Sequence, residues 1–84
     1  MFMKNKTISE LSNNICLKIK LERIKRNISQ EELALMAGLN RNTIGKIERM
    51  ETSPSIDTIE KIAKVFEMNF LELVDVSKID LQKS

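Results

Sequence analysis

The sequence predicts an all-α domain of five helices in a single 84-residue unit. Three observations carry that prediction. Apolar residues recur three and four apart in run after run, the spacing that puts side chains on one helix face. Ser29 and Asn69 each precede such a run and are followed three residues later by Glu32 and Glu72, the pattern of a helix-starting capping box. Gly38 and the pair Pro54-Ser55 fall between runs, where helices end and begin.

The first six residues (MFMKNK) are expected to fray. Thr7-Ile8-Ser9-Glu10 has the form of a capping box, which starts the first helix near Ile8. A start near Ser12 is the alternative, and the helix runs to Arg26 or Asn27. Ile8, Leu11, Ile15 and Ile19 keep helical spacing. A second stripe, Leu17, Leu21 and Ile24, lies well round the cylinder from Ile15 and Ile19. The core can take one stripe. The other needs the C-terminal tail or a second subunit. Cys16 sits within this apolar helix and reads as a buried structural thiol.

The stretch Ser29 to Glu48 holds two short helical patterns back to back. Leu33, Ala34 and Ala37 supply the inward face of the first. Gly38 can take the left-handed conformation that ends it. Leu39 is apolar inside the turn and is expected to plug the corner. Asn40 suits the N-cap of the next helix, in which Ile44 and Ile47 face inward. Arg41, Asn42, Gly45, Lys46 and Arg49 are left facing out.

Ser55 is the expected N-cap of a fourth helix, with Asp57 at the positive end of its dipole. Ile56, Ile59, Ile62, Ala63 and Phe66 form its apolar stripe. Asn69 caps a fifth helix carrying Phe70, Leu71, Leu73 and Val74. The tail, residues 75–84, keeps Val76, Ile79 and Leu81, more apolar residues than a disordered tail would carry. The core of the domain is expected over about residues 15–74.

The outward set on the third helix bears the chemistry. Arg can bind guanine with two parallel bonds, Asn can do the same for adenine, and Lys can reach guanine or a phosphate. A helix, a tight turn with Gly and a second helix make the helix-turn-helix arrangement, whose second helix enters the major groove of DNA. The net charge of +2 announces nothing by itself, but its distribution does. From Ile15 to Arg49 there are eight Lys/Arg against four Glu; from Met50 to Ser84 there are four Lys against seven Asp/Glu. A basic first part and an acidic second part suggest a basic face.

The single Cys excludes an internal disulfide, and the absence of His removes His-based triads and His metal sites. There is no Gly-rich phosphate loop, so no enzyme activity, cofactor or metal is expected. No secretory apolar region and no apolar run of about 18 residues occurs, so a soluble cytoplasmic protein without a membrane partner is expected. Only three Phe supply the aromatic residues, which makes the expected core aliphatic.

The ordered set Arg23, Ser29-Gln30-Glu31-Glu32-Leu33-Ala34, Gly38-Leu39-Asn40-Arg41, Ile44, Ile47-Glu48, Pro54-Ser55 and Ile62-Ala63 resembles the Cro-repressor-type, lambda-repressor-like helix-turn-helix family, also called the xenobiotic-response-element type. The resemblance runs from about Ile15 to Val74. It implies a five-helix lambda-repressor-like fold and a transcription regulator that binds double-stranded DNA, a repressor of the phage or restriction-modification-controller kind. It implies that Arg41, Asn42 and Lys46 read bases, with Thr43 nearby. It implies that Gln30 binds a phosphate and braces the third helix, with Ser29, Asn40, Arg49 and Ser53 as further backbone contacts. It also implies that Arg23 pairs with Glu48, tying the first helix to the third.

Two departures stand out. Where the family usually has Gly, two residues after Glu48, this chain has Met50, so the third helix is open to a different ending. The loop Glu51-Thr52-Ser53 lacks the Lys or Arg often found there, and Glu51 would repel phosphates. A homodimer on a near-palindromic operator is expected, with Phe70, Leu71, Val74 and Val76 across the two-fold axis. The rival is a monomer whose tail folds back on Leu17 and Leu21. A different class of function, a protein-interaction module such as an antitoxin or antirepressor with a protein partner, is the alternative.

Overall fold

The computed structural model describes residues 2–77, with side chains from Glu10 onward. Five helices follow in order: α1 (Phe2–Lys25), α2 (Gln30–Ala37), α3 (Arg41–Glu48), α4 (Ile56–Phe66) and α5 (Phe70–Val74). No strand occurs among the described residues. The expected positions Ile79 and Leu81 lie outside them, as does the side chain of Ile8.

The beginning of α1 corrects the sequence reading. The helix starts at Phe2, ahead of both Ile8 and Ser12 and through the stretch expected to fray. Thr7-Ile8-Ser9-Glu10 lies inside it and starts nothing. No Gly or Pro falls between Phe2 and Lys25, and an interior Ser or Thr costs a helix only a few tenths of a kcal/mol. A local cap pattern is therefore compatible with a continuing helix.

The four junctions between helices share one device. Asn27, Gly38, Met50 and Glu67 all have φ near +60°, with values of 59°, 69°, 60° and 58°. At each, the following N–H reaches back five residues to a carbonyl of the preceding turn. Ile28 N donates to Arg23 O at 3.4 Å, Leu39 N to Ala34 O at 2.8 Å, Glu51 N to Lys46 O at 2.8 Å and Met68 N to Ala63 O at 2.9 Å. This closure satisfies carbonyls that a helix end leaves orphaned. Only Gly38 adopts the left-handed conformation without a Cβ penalty. Met50 adopts it at a cost of roughly 1 kcal/mol, so α3 ends as the Gly-bearing pattern would end it.

The starts are equally regular. Ser29 Oγ accepts from Glu32 N at 2.9 Å, and Ser29 N donates back to Glu32 Oε1 at 2.8 Å. Asn69 and Glu72 make the same reciprocal pair at 2.8 and 2.9 Å. Asn40 and Ser55 cap α3 and α4.

The core gathers Cys16 and Ile19 from α1, Leu33, Ala34 and Ala37 from α2, Ile44 and Ile47 from α3, Ile59, Ile62, Ala63 and Phe66 from α4, and Leu73 from α5. It is aliphatic except for Cys16 and Phe66. Leu39 packs against it from the α2–α3 turn. The Cys16 thiol is buried and donates to Thr52 O at 3.5 Å. Burial pushes its pKa above the ordinary thiol value. Ile56 does not join the α4 stripe. It is 67% exposed, because the first residue of α4 lies beyond the edge of the core. Of the two α1 stripes, Ile15 and Ile19 pack inward, whereas Leu11, Leu21 and Ile24 remain exposed.

Two cations on α1, Lys18 and Arg23, and a third just past its end, Arg26, tie this helix to the rest of the domain. Lys18 is buried, and its Nζ donates to Glu72 O and Asp75 O, both at 2.6 Å. Arg26 Nη2 donates to Phe66 O at 2.9 Å, with its guanidinium 4.6 Å from the Phe66 ring centroid. Arg23 Nη1 donates to Ile28 O at 2.7 Å. Arg26 also pairs with Glu22, one turn back on α1. Burial alone would push the Glu22 carboxyl up, but the hydrogen bond from Arg26 and the nearby charges of Lys25 and Arg26 bring it below its ordinary value. No helix among the described residues is long and apolar enough to cross a membrane.

Candidate nucleic-acid interface

α3 is eight residues long and presents different chemistry on its two sides. Asn40 Oδ1 accepts from Asn42 N at 2.7 Å and fixes the first turn. Ile44 and Ile47 are fully buried on the core side. At its last turn Glu48 is held from two other elements. Arg23 grips it with two bonds, Nε to Oε2 at 2.6 Å and Nη2 to Oε1 at 3.0 Å. Gln30 Nε2 donates to the same Oε1 at 3.0 Å. The side chains of Arg23 and Glu48 are 14% and 2% exposed, so the pair is largely removed from water. Such a pair orients α3 more than it stabilises the fold, because desolvation offsets much of the attraction.

The expected base readers lie on the other side. Arg41, Asn42 and Lys46 are exposed, and Thr43 is half-buried beside them. Gln30 is half-buried at the start of α2. Its amide carries two N–H donors, and only one is needed for Glu48, so bracing α3 and donating outward are compatible. Ser29 and Asn40 are exposed, with their side-chain oxygens engaged in the caps. Ser53 is exposed, with its Oγ 2.7 Å from Ser12 Oγ.

Gly45 lies on the outward side, as its spacing predicts, but is not open to solvent. It is buried, because the guanidinium of Arg49 folds back over it. A Cβ built at Gly45 would stand 3.0 Å from Arg49 Nη1. The missing side chain thus makes room for Arg49. The residue that sequence reasoning placed only as a phosphate repellent, Glu51, is the partner of that guanidinium. Arg49 Nε donates to Glu51 Oε2 at 2.8 Å and Nη2 to Oε1 at 3.2 Å. The bond from Arg49 holds the Glu51 carboxyl below its ordinary value, and the same bond raises Arg49. Opposite charges two residues apart were the signal available in the sequence.

A second candidate surface lies on α5. Leu73 is fully buried and anchors the helix. Phe70 and Val74 pack partly on the core, Val76 is half-buried, and Leu71 is 73% exposed. Lys18, which sequence reasoning did not single out, binds the carbonyls at the end of this helix.

Comparison with known proteins agrees with this architecture. The helix-turn-helix family model matches residues 19–73. The control protein C.BamHI of Bacillus amyloliquefaciens is 39% identical over 74 residues, spanning 82% of this chain and 91% of its own. The cryptic phage CTXphi transcriptional repressor RstR of Vibrio cholerae is 35% identical over 66 residues, spanning 79% of this chain but only 60% of its own length. Among solved structures, the restriction-modification controller protein C.AhdI from Aeromonas hydrophila superposes with a TM-score of 0.70 at 30% identity, covering 76% of this chain and 96% of that one. With five helices in this arrangement and a family match over most of its length, the chain belongs to the lambda-repressor-like helix-turn-helix family.

Proposed function

We propose that the protein is a sequence-specific, double-stranded-DNA-binding transcription regulator of the phage-repressor and restriction-modification-controller kind. One observation carries the reading. Exposed Arg41, Asn42 and Lys46 project from a helix whose opposite side is immobilised by Ile44, Ile47 and the buried Glu48. Donors held on a rigid support can read base edges in the major groove. Gln30, Ser29, Asn40, Arg49 and Ser53 surround that helix as contacts to the phosphate backbone, which set register and orientation. Repression then follows from occupancy of an operator.

The regulator acts as a homodimer through Phe70, Leu71, Val74 and Val76. The apolar Leu71 side chain in water supports this, as do the uncovered Leu21 and Ile24. A two-fold pair would set its α3 helices roughly 34–36 Å apart, in successive major grooves of a near-palindromic site. The rival reading, a protein-interaction module, is favoured by the exposed Leu35 and Met36 on α2.

Selection of bound duplexes from a random pool, followed by titration across salt concentrations, tests the reading. An enriched near-palindrome and an affinity that falls steeply with salt are expected. No enrichment and no duplex binding at low salt would overturn it in favour of the protein-interaction module. Sedimentation across a concentration series tests the dimer, which a monomer at every concentration would exclude.

A further inference from the structure

At the end of α3 a cation meets an anion from its own loop. Arg49 offers Glu51 two N–H donors, at 2.8 and 3.2 Å, the forked geometry a guanidinium also uses on phosphate. Gly45 leaves the space in which that guanidinium lies. Both partners are more than half exposed, at 59% and 51%, so water screens the pair and it adds little to folding. An ion pair of small structural value therefore occupies a phosphate donor beside the reading helix.

We propose that Glu51 is an internal stand-in for a DNA phosphate, holding Arg49 until the backbone of a duplex displaces it, so that residue 51 sets affinity without touching a base. The inference rests on the DNA-binding reading above. Binding exchanges one anion for another at Arg49, so the net gain at this donor is small. The effect falls evenly on all sequences, because backbone contacts carry no direct sequence information. It also removes about one phosphate contact from the salt dependence.

Glu51→Gln keeps the size of the side chain and removes its charge. The probe is a random-sequence duplex, titrated by fluorescence anisotropy at several salt concentrations. Glu51→Gln should bind about five- to tenfold tighter at low salt, with the slope of log affinity against log salt steeper by about 0.9. In an Arg49→Gln background the same change should gain less than about twofold, since the freed donor is absent. Equal gains in both backgrounds would mean general repulsion by Glu51 and would overturn the inference. So would unchanged affinity in the presence of Arg49. Binding by neither the wild type nor Glu51→Gln would overturn the DNA-binding reading and the inference together, whereas binding by both with equal affinity overturns the inference alone.

Discussion

The helices α3 and α5 begin alike and are held in unlike ways. Each starts at an Asn, Asn40 or Asn69, whose side chain accepts from the first turn. From there they diverge. α3 buries Ile44, Gly45, Ile47 and Glu48 among its eight residues, and Arg23 and Gln30 grip its last turn. α5 buries Leu73 alone among five and is otherwise held by Lys18 at its carbonyl end. The proposed reading accounts for the contrast: a helix that reads a groove is fixed on every side but one, and a helix that meets a partner keeps apolar surface uncovered.

The largest test of this contrast lies at the grip on α3. Glu48→Ala should cost about 3–5 kcal/mol in chemical denaturation, because it leaves Arg23 charged, unpaired and largely out of water. Replacing Arg23 and Glu48 together by Met and Leu should cost less. Equal losses in the single and double variants would mean that the pair is not desolvated. Next comes the anchor of α5. Leu73→Ala should cost about 2–4 kcal/mol and weaken the dimer in sedimentation, while the α2–α3 unit keeps its hydrogen-exchange protection. Loss of protection in both regions at once would erase the distinction between them.

The exposed face of α3 should respond the other way, in binding and not in folding. Arg41→Ala, Asn42→Ala or Lys46→Ala should each cost about 1–3 kcal/mol of discrimination on a selected operator, with thermal stability unchanged. Gln30→Ala should lower affinity evenly on all sequences. Unaltered operator binding in all three base-reader variants would remove this face from the interface. The smallest effect is expected where α3 ends. Met50→Gly should stabilise by roughly 1 kcal/mol by relieving a left-handed Cβ, offset in part by the greater freedom of Gly when unfolded. Destabilisation on urea titration would show that the Met50 side chain makes up the strain by packing.

The same contrast governs what could be read from the chain. The caps of α2 and α5 were legible because Ser29 and Glu32, or Asn69 and Glu72, meet across one turn. The inward face of α3 followed from the spacing of Ile44 and Ile47. What escaped depends on distant or folded-back groups. Gly45 sits on the outward side by spacing alone, yet Arg49 covers it. Lys18 reads as a surface residue, since Lys is almost never buried unless paired, and its acceptors lie more than fifty residues away. The basic balance of residues 15–49 overstated the cationic surface for a similar reason. Lys18, Arg23 and Arg26 spend their donors on Glu72, Asp75, Ile28, Phe66 and the Glu22 and Glu48 carboxylates, inside the protein. The start of α1 escaped because a cap signal does not forbid a helix from continuing through it.

The bond between Lys18 and Asp75 closes a loop of 57 residues, among the longest-range ties in the domain. Long loops close late in folding, since their entropy must be spent before the contact repays it. The α2–α3 unit, built from neighbours in sequence, is complete sooner. By the same reasoning the α1–α5 seam is expected to open first in the native state, with amides of α5 exchanging ahead of global unfolding. If α5 carries the dimer contact as proposed, a subunit with that seam open keeps α2 and α3 assembled and has no surface to pair with, and the equilibrium of one lysine's grip is linked to the concentration at which the regulator assembles.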